Sequence, residues 1–263
     1  MAKAKSYYTP GSLSAAHYDA VTAADDRLAG DGDIYAGLAP PGGSILELGA
    51  GSGRLTCDLA SRGFWVTGVD IAPAMLAQAE ARRAKLPPDA AARCRLVRGD
   101  MTALKLGGAF DLVICPFFTL AHIPAGAAWR NAFQTMARHL SPGGLAAVHL
   151  PRREIMSLPG PTRPDLPVMD LAIEGGRRLR LYVRERTFRE DLGKLDQVLE
   201  YELVDAGGQV VARSPERLTY WTADPAPFAI TAGFEVDRAA VPLGGVGDIW
   251  IFRRSSAGLQ AAP

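Results

Sequence analysis

The sequence predicts an α/β fold built on a parallel sheet wound on both faces. Three observations carry that prediction. Short apolar runs alternate with helical stretches between residues 44 and 150. Strands alternating with helices of this size form parallel sheets covered on both sides. The first run passes into three glycines spaced one residue apart, Gly49, Gly51 and Gly53. Each later run ends on a turn residue or an acid, and in such sheets ligands bind beyond the carboxyl ends of the strands. At 263 residues the chain is long enough for one large domain with an embellishment.

The elements follow in order. Residues 1–12 are polar apart from Tyr7-Tyr8, and residues 13–38 read as helices with Ala16, Tyr18, Val21 and Leu28 on one face. We read residues 1–38 as an N-terminal helical lid. Ala39-Pro-Pro-Gly-Gly43 breaks the chain. Ile45–Leu48 is then a strand, Arg54–Ser61 a helix, Phe64–Val69 a strand, and Pro73–Lys85 a helix with proline in its first turn. Arg95–Val97 and Phe110–Cys115 are strands. Ala127–Leu140 is a helix stopped by Ser141-Pro-Gly-Gly144, and Leu145–Leu150 is the next strand.

The alternation stops at Pro151. Residues 151–167 read as an irregular excursion rich in proline and arginine. Leu179–Thr187, Gln197–Val204, Val210–Arg213 and Leu218–Trp221 read as strands, with Ala206-Gly-Gly208 as a hairpin turn. Residues 151–222 are therefore expected to form a small antiparallel β insert. Asp224–Ala232 is a helix with Asp224 as N-cap and Gly233 as its stop. Phe234–Val236 and Asp248–Phe252 complete a seven-stranded sheet, so the main domain spans 39–150 and 223–254, with 255–263 as a tail.

Composition narrows the function. The formal net charge is +1, which gives no basic field for nucleic acid or an anionic membrane. No apolar run reaches the roughly 20 residues that cross a bilayer. The N-terminal lysines have no apolar core behind them, so they do not form a signal peptide. The three cysteines, Cys57, Cys94 and Cys115, are scattered and form no C-x-x-C pair. Neither a metal cluster nor a disulfide framework is expected, and a cytoplasmic setting is the simplest reading.

The glycine turn lets backbone approach a ligand closely. Two ligand classes compete for it. Dinucleotide sites use G-x-G-x-x-G/A, with a third small residue for close helix–strand packing. Here the spacing is G-x-G-x-G, and Arg54 stands where that small residue belongs. Asp70, at the end of the second strand, suits the ribose hydroxyls of either ligand. Taken singly, the residues have plainer roles: Asp70 as a helix cap, Asp100 as a turn former, His122 as an incidental loop histidine. Tyr7 and Tyr8 could staple the first helix. Arg177, Arg178, Arg180, Arg184, Arg186 and Arg189 read as the solvated face of a strand, balanced by Glu185, Glu190 and Asp191.

Four segments together resemble the class I S-adenosylmethionine-dependent methyltransferases. They are Glu-Leu-Gly-Ala-Gly-Ser-Gly at 47–53, Val-Asp-Ile-Ala-Pro-Ala-Met-Leu at 69–76, Gly-Asp-Met at 99–101, and the strand end from Phe110 through Cys115-Pro-Phe-Phe118 to His122-Ile123. The resemblance covers residues 40–150 closely and the last helix and strands more loosely. It implies a Rossmann-like doubly wound sheet whose last strand is antiparallel. In layout the insert is similar to the auxiliary sheet of glycine and amino-sugar N-methyltransferases.

The resemblance implies S-adenosyl-L-methionine as cofactor. Glu47, Gly49, Ala50, Gly51, Gly53 and Arg54 would line its methionine part and ribose. Asp70 would accept from the ribose hydroxyls, Ile71 would lie on the adenine, and Asp100 would accept from the adenine amine beside Met101. Met75 and Pro116 would complete the pocket. His122 is the first candidate for a general base or orienting group and Tyr18 the second, near the sulfonium or the cofactor carboxylate. Tyr7 and Tyr8 would close over the site. The expected acceptor is a small polar metabolite, methylated at nitrogen in preference to oxygen. A nucleic-acid base is disfavoured, because Cys115-Pro-Phe-Phe118 offers no polar side chain to an exocyclic amine. An NAD(P)-dependent oxidoreductase and a non-catalytic S-adenosylmethionine-binding protein are the alternatives. The insert could pair with its twin in a homodimer.

Overall fold

The computed structural model describes residues 4–7 and 9–255. In chain order the elements begin β1 (Lys5–Ser6), α1 (Leu13–Ala16), α2 (Tyr18–Ala23), α3 (Asp31–Ala36), β2 (Ser44–Leu48), α4 (Arg54–Ser61) and β3 (Trp65–Asp70). Then come α5 (Pro73–Arg83), α6 (Pro88–Arg93), β4 (Cys94–Arg98), β5 (Phe110–Cys115), α7 (Ala127–His139) and β6 (Leu140–Pro151). The last set is α8 (Arg153–Met156), β7 (Met169–Ile173), β8 (Arg177–Arg189), β9 (Lys194–Val204), β10 (Val210–Trp221), α9 (Ala226–Thr231), β11 (Phe234–Leu243) and β12 (Gly247–Arg254). They form two compact units. One joins the chain up to Asp26 with Arg153–Thr222, the other joins Arg27–Arg152 with the chain from Ala223 onward.

The larger unit is an α/β sheet in the order β11-β12-β6-β5-β2-β3-β4. β6, β5, β2, β3 and β4 run parallel, and β12, the last strand, is antiparallel to both neighbours. The strand order reverses between β2 and β5, the place where such sheets open a crevice for ligands. One face of the sheet buries Ile45, Leu112, Ile114 and Ala147 against Tyr35 of α3 and Leu55 of α4. Elsewhere in this unit Phe133 of α7 meets Phe252 edge-on, with ring centroids 5.5 Å apart. The expected turn Ser141–Gly144 lies inside β6. Leu140 pairs with Phe110 and Leu145 with Leu112, so the proline and two glycines bulge out of the ladder. Helix α6 was not anticipated; Pro88 at its start and Arg93–Asp89 at 2.9 Å stabilise a single short turn. Asp224 accepts from the Ala226 N–H at 2.9 Å at the head of α9.

Two of the cysteines are not scattered in space. The Cys94 thiol hydrogen-bonds to Cys57, and all three thiols are buried and free. The separation of 37 positions between them hides this neighbourhood from a reading of spacing.

The smaller unit is a sheet in the order β1-β10-β9-β8-β7, antiparallel except for β1, which pairs in parallel with β10. Val210–Arg213 and Leu218–Trp221 are one strand, because Ser214–Arg217 keeps its pairing with Val198–Tyr201. One face buries Leu179, Leu199, Tyr201 and Leu218 with Leu13 and Val21 of the N-terminal helices. The N-terminal segment is tied down by polar groups as well. The Tyr7 hydroxyl lies 2.6 Å from that of Tyr201, and the Tyr7 N–H donates to the Arg217 carbonyl at 3.1 Å. Glu216, fully buried, accepts from the Ser14 N–H at 3.2 Å and the Ser214 hydroxyl at 2.7 Å. These bonds divide the expected helical segment 1–38 at Asp26, and its first part belongs to this sheet.

The arginines of β8 are balanced across strands, not by Glu185, Glu190 and Asp191. Arg178 and Arg180 pair with Asp170, Arg184 with Glu200, and Arg189 with Asp196. The strand period places carboxylates of β7 and β9 beside the guanidinium groups, whereas neighbours along β8 point away. Arg186 has a different task. It donates to the carbonyls of Ile155, Met156 and Leu158 and to Gln197 Oε1, pinning the excursion to the sheet.

Candidate active site

The glycine turn and Asp70 fold around each other. The N–H groups of Gly49 and Ala50 both donate to the Val69 carbonyl, at 2.8 and 2.9 Å. The Gly51 N–H donates to Asp70 Oδ2 and the Ala72 N–H to Oδ1, each at 2.8 Å. The glycines need their freedom: φ is +83° at Gly49, +56° at Gly51 and +75° at Gly53. A Cβ on Gly53 would stand 2.9 Å from that of Ala79, so this glycine, not the position of Arg54, provides the close helix contact. Burial raises the Asp70 carboxyl above its ordinary range, and the backbone donors of Ala72, Gly51 and Ile71 counter that. The carboxylate keeps acceptor capacity beyond these bonds.

Beyond this turn the surface suits a flat apolar ring. Ile71 is 62% exposed at the end of β3, an unusual place for a large aliphatic side chain. The Gly99 N–H donates to the Asp70 carbonyl at 3.0 Å, which brings the 99–101 segment beside Asp70. Asp100 is exposed and accepts from the Thr102 N–H and hydroxyl, both at 2.8 Å, so it also forms a turn. Met101 is half-buried, while Ala50, Met75 and Pro116 are buried and form the floor rather than the surface of this region.

Glu47 ends up buried at 2% exposure, accepting a hydrogen bond from the Thr56 hydroxyl. Desolvation pushes its carboxyl up to about 8. Arg54 does not neutralise it by direct pairing, because its guanidinium grips buried Asp31 of α3 with both nitrogens. Thr56 and Asp31 were invisible in the sequence, since both acquire their roles only when α3 and α4 pack.

The loop after β5 is strained. Phe117 and Phe118 both take left-handed conformations, with φ of +47° and +61°. Non-glycine residues rarely do this, and such outliers concentrate at functional sites. A 3-10 turn, Thr119–His122, follows directly. A Cβ on Gly49 would overlap the Thr119 side chain, so the glycine turn and this loop touch. His122 is half-buried, and desolvation pushes its imidazole down to about 4. Cys115 is driven up to about 12 by burial, which leaves it a thiol at neutral pH. No rule of sequence marks two phenylalanines for left-handed backbone.

The tyrosine candidates Tyr7 and Tyr18 belong to the smaller unit. Tyr18 opens α2, in the unit of the antiparallel sheet, and is half-buried there. Tyr7 is bonded to Tyr201, and burial raises its hydroxyl well above the ordinary value, so it packs into its own unit. Tyr8 lies outside the described residues. Among the described residues no helix is long and apolar enough to cross a membrane.

A strand order reversing beside a glycine turn, an acid closing that turn and an antiparallel last strand give this chain the fold of the class I S-adenosylmethionine-dependent methyltransferases. Residues 45–144 match the family model described as a methyltransferase domain. The ubiquinone biosynthesis O-methyltransferase of Pseudomonas paraeruginosa is 36% identical over 112 residues, 43% of this chain and 45% of that protein. The chain thus matches about half the length of such curated relatives. Among solved structures, the CcbJ methyltransferase from Streptomyces caelestis superposes with a TM-score of 0.71, covering 95% of this chain and 99% of that one at 22% identity. CalS10, an amino pentose methyltransferase from Micromonospora echinaspora, gives a TM-score of 0.64 at 26% identity, covering 90% of this chain and 96% of that one.

The residues fit S-adenosylmethionine as the cofactor. Three glycines with positive φ let the backbone approach a ligand closely, Asp70 has acceptor capacity to spare, and Ile71 is bare. When bound, the cofactor supplies a methyl group on a cationic sulfur.

Proposed function

We propose that the chain methylates an amino nitrogen of a small polar metabolite of the amino-sugar kind, using S-adenosylmethionine. The observation that supports this most is a likeness to CalS10 that runs over 90% of the chain and so takes in the antiparallel sheet. In this reading Asp70 holds the ribose hydroxyls, Ile71 carries the adenine, Asp100 takes its amine, and the glycine turn with Glu47 faces the amino-acid tail. His122 orients the acceptor. An imidazole held near 4 is neutral at pH 7 and a weak base. A neutral amine already has a nucleophilic lone pair and needs only alignment, which can contribute about 7–11 kcal/mol. A hydroxyl must shed its proton to a stronger base than His122 offers, so nitrogen is favoured over oxygen. Tyr18 is the second candidate for orienting cofactor or acceptor. β7 is an edge strand of its sheet, and pairing there would make a homodimer.

Calorimetry with S-adenosylmethionine, its demethylated product and NAD tests the cofactor. Transfer of labelled methyl to matched amino and hydroxy sugars tests the acceptor. We expect binding of the first two ligands and label on the amino compounds alone. Binding of NAD alone, or label confined to the hydroxy sugars, overturns the reading. His122→Ala and Tyr18→Phe should each reduce turnover more than about tenfold, in the range general for positioned groups. Wild-type turnover in both removes the two residues from the mechanism.

A further inference from the structure

His149 lies near the carboxyl end of β6, paired in register with Ile249 of β12. It is 1% exposed, and its Nε2 is buried without a hydrogen-bond partner. A buried polar nitrogen left unpaired is costly and calls for a reason. Its ring supplies one. The centroid lies 4.5 Å from that of Phe118, at an interplanar angle of 49°. Offset and tilted aromatic pairs of this spacing attract.

Gly247 completes the arrangement. Its backbone is not in the left-handed region, so conformation does not demand glycine there. Space does. A Cβ would stand 2.5 Å from Phe118 Cε1 and 2.6 Å from His149 Nε2. Phe118 and the tilted imidazole of His149 therefore both close on the bare backbone of Gly247. It is also the residue that caps the 3-10 turn, through the Ala121 N–H bonded to its carbonyl at 2.9 Å. A left-handed phenylalanine persists only where its surroundings over-determine it.

We propose that His149 is a positioning residue for the acceptor loop: with the bare Cα of Gly247 its ring seats Phe118 in the left-handed conformation, and this sets the turn that carries His122. The role belongs to the ring and not to a proton on Nε2. The functional meaning of the seat rests on the methyltransferase reading above, but its physical test does not.

That test follows His122 itself. The chain has four histidines, which makes ring signals tractable by NMR, with His122→Gln to assign them. His122→Gln serves only for assignment. In the wild type the His122 ring should titrate near 4. His149→Phe keeps an aromatic face and should leave that midpoint and the calorimetric affinity for the demethylated cofactor unchanged, with melting temperature equal or higher. His149→Ala and Gly247→Ala each disturb the seat, by a void or by a clash. Both should raise the His122 midpoint by about one pH unit or more as the turn admits water, again with cofactor affinity retained. An unchanged midpoint in both variants overturns the proposal, and so does a His149→Phe protein as perturbed as His149→Ala. If His149→Ala does not fold, Gly247→Ala and His149→Phe decide. A protein that fails to bind the demethylated cofactor, yet shows these shifts, refutes the functional reading and keeps the seat.

Discussion

Glu47 illustrates how much a single residue's role depends on what does not reach it. The Arg54 guanidinium grips Asp31, and Glu47 accepts from the Thr56 hydroxyl in a buried place. The folded chain therefore holds its proton up to about 8, against 4.5 ordinarily. Between those values the folded state carries a proton that the unfolded state has released, so stability falls as pH rises. The slope approaches about 1.4 kcal/mol per pH unit. His122 and His149 act in the opposite sense. Both are pushed down to about 4 by burial, so the stability they contribute is lost as pH falls from 6.5 towards 4. From these three groups the chain should be most stable near pH 6.5. Urea melts from pH 5 to 8.5 should show both limbs, and Glu47→Gln should flatten the alkaline limb while steepening the acid one. An alkaline limb identical in the variant removes Glu47 as its cause. At this scale the glycines and Asp70 were legible because each answers a local demand, for φ or for an amide acceptor. Phe118 and His149 were not, because both meet Gly247 of β12, roughly a hundred or more residues downstream.

Among the elements, β8 shows why a charge run is ambiguous in sequence. Alternation correctly marks a strand face, but the acids that balance it lie on β7 and β9, at positions fixed only by register. The arginines are also unequal. Arg178 is exposed and pairs with Asp170 in solvent, where such bridges contribute about 0–1 kcal/mol. Arg186 donates to three main-chain carbonyls of the excursion, those of Ile155, Met156 and Leu158. Arg186→Ala should cost the smaller unit about 2 kcal/mol and expose residues 153–160 to limited proteolysis, whereas Arg178→Ala should leave the cleavage pattern of the wild type. Equal resistance of both variants would show that the excursion is held by something else. The strands β2, β3, β4 and β5 were legible to within a residue from their apolar runs, whereas β6 begins five residues ahead of the expected Leu145. β7 was missed because Met169–Ile173 is half exposed and short, and β10 was split because Ser214-Pro215-Glu216 reads as a break.

At the scale of the whole molecule, the surprise is where the N-terminal segment belongs. The sequence suggested a helical lid over residues 1–38, with Tyr7 and Tyr8 closing over the site. Up to Asp26 the described residues form a β-ladder with β10, a tyrosine pair with Tyr201 and a backbone bond to the buried Glu216 in the antiparallel unit. Sequence alone could not disclose this, because the partners Tyr201, Glu216 and Arg217 stand about two hundred positions away. Removing residues 1–11 from the full chain should accelerate hydrogen exchange in β10 and around Tyr201. The amides of β2 and α4 should keep their wild-type protection. Uniform loss of protection across both sheets would mean that the two units do not unfold separately.

The bulge in β6 carries a practical consequence. Pro142 and Gly143 are exposed, and they protrude at the edge where β5 begins, the edge opposite the one where Cys115, Asp70 and the glycine turn gather. A short epitope spliced between them extends a ladder that already tolerates extra length, so an affinity tag or dye can be mounted there with the chemistry at the far rim left undisturbed.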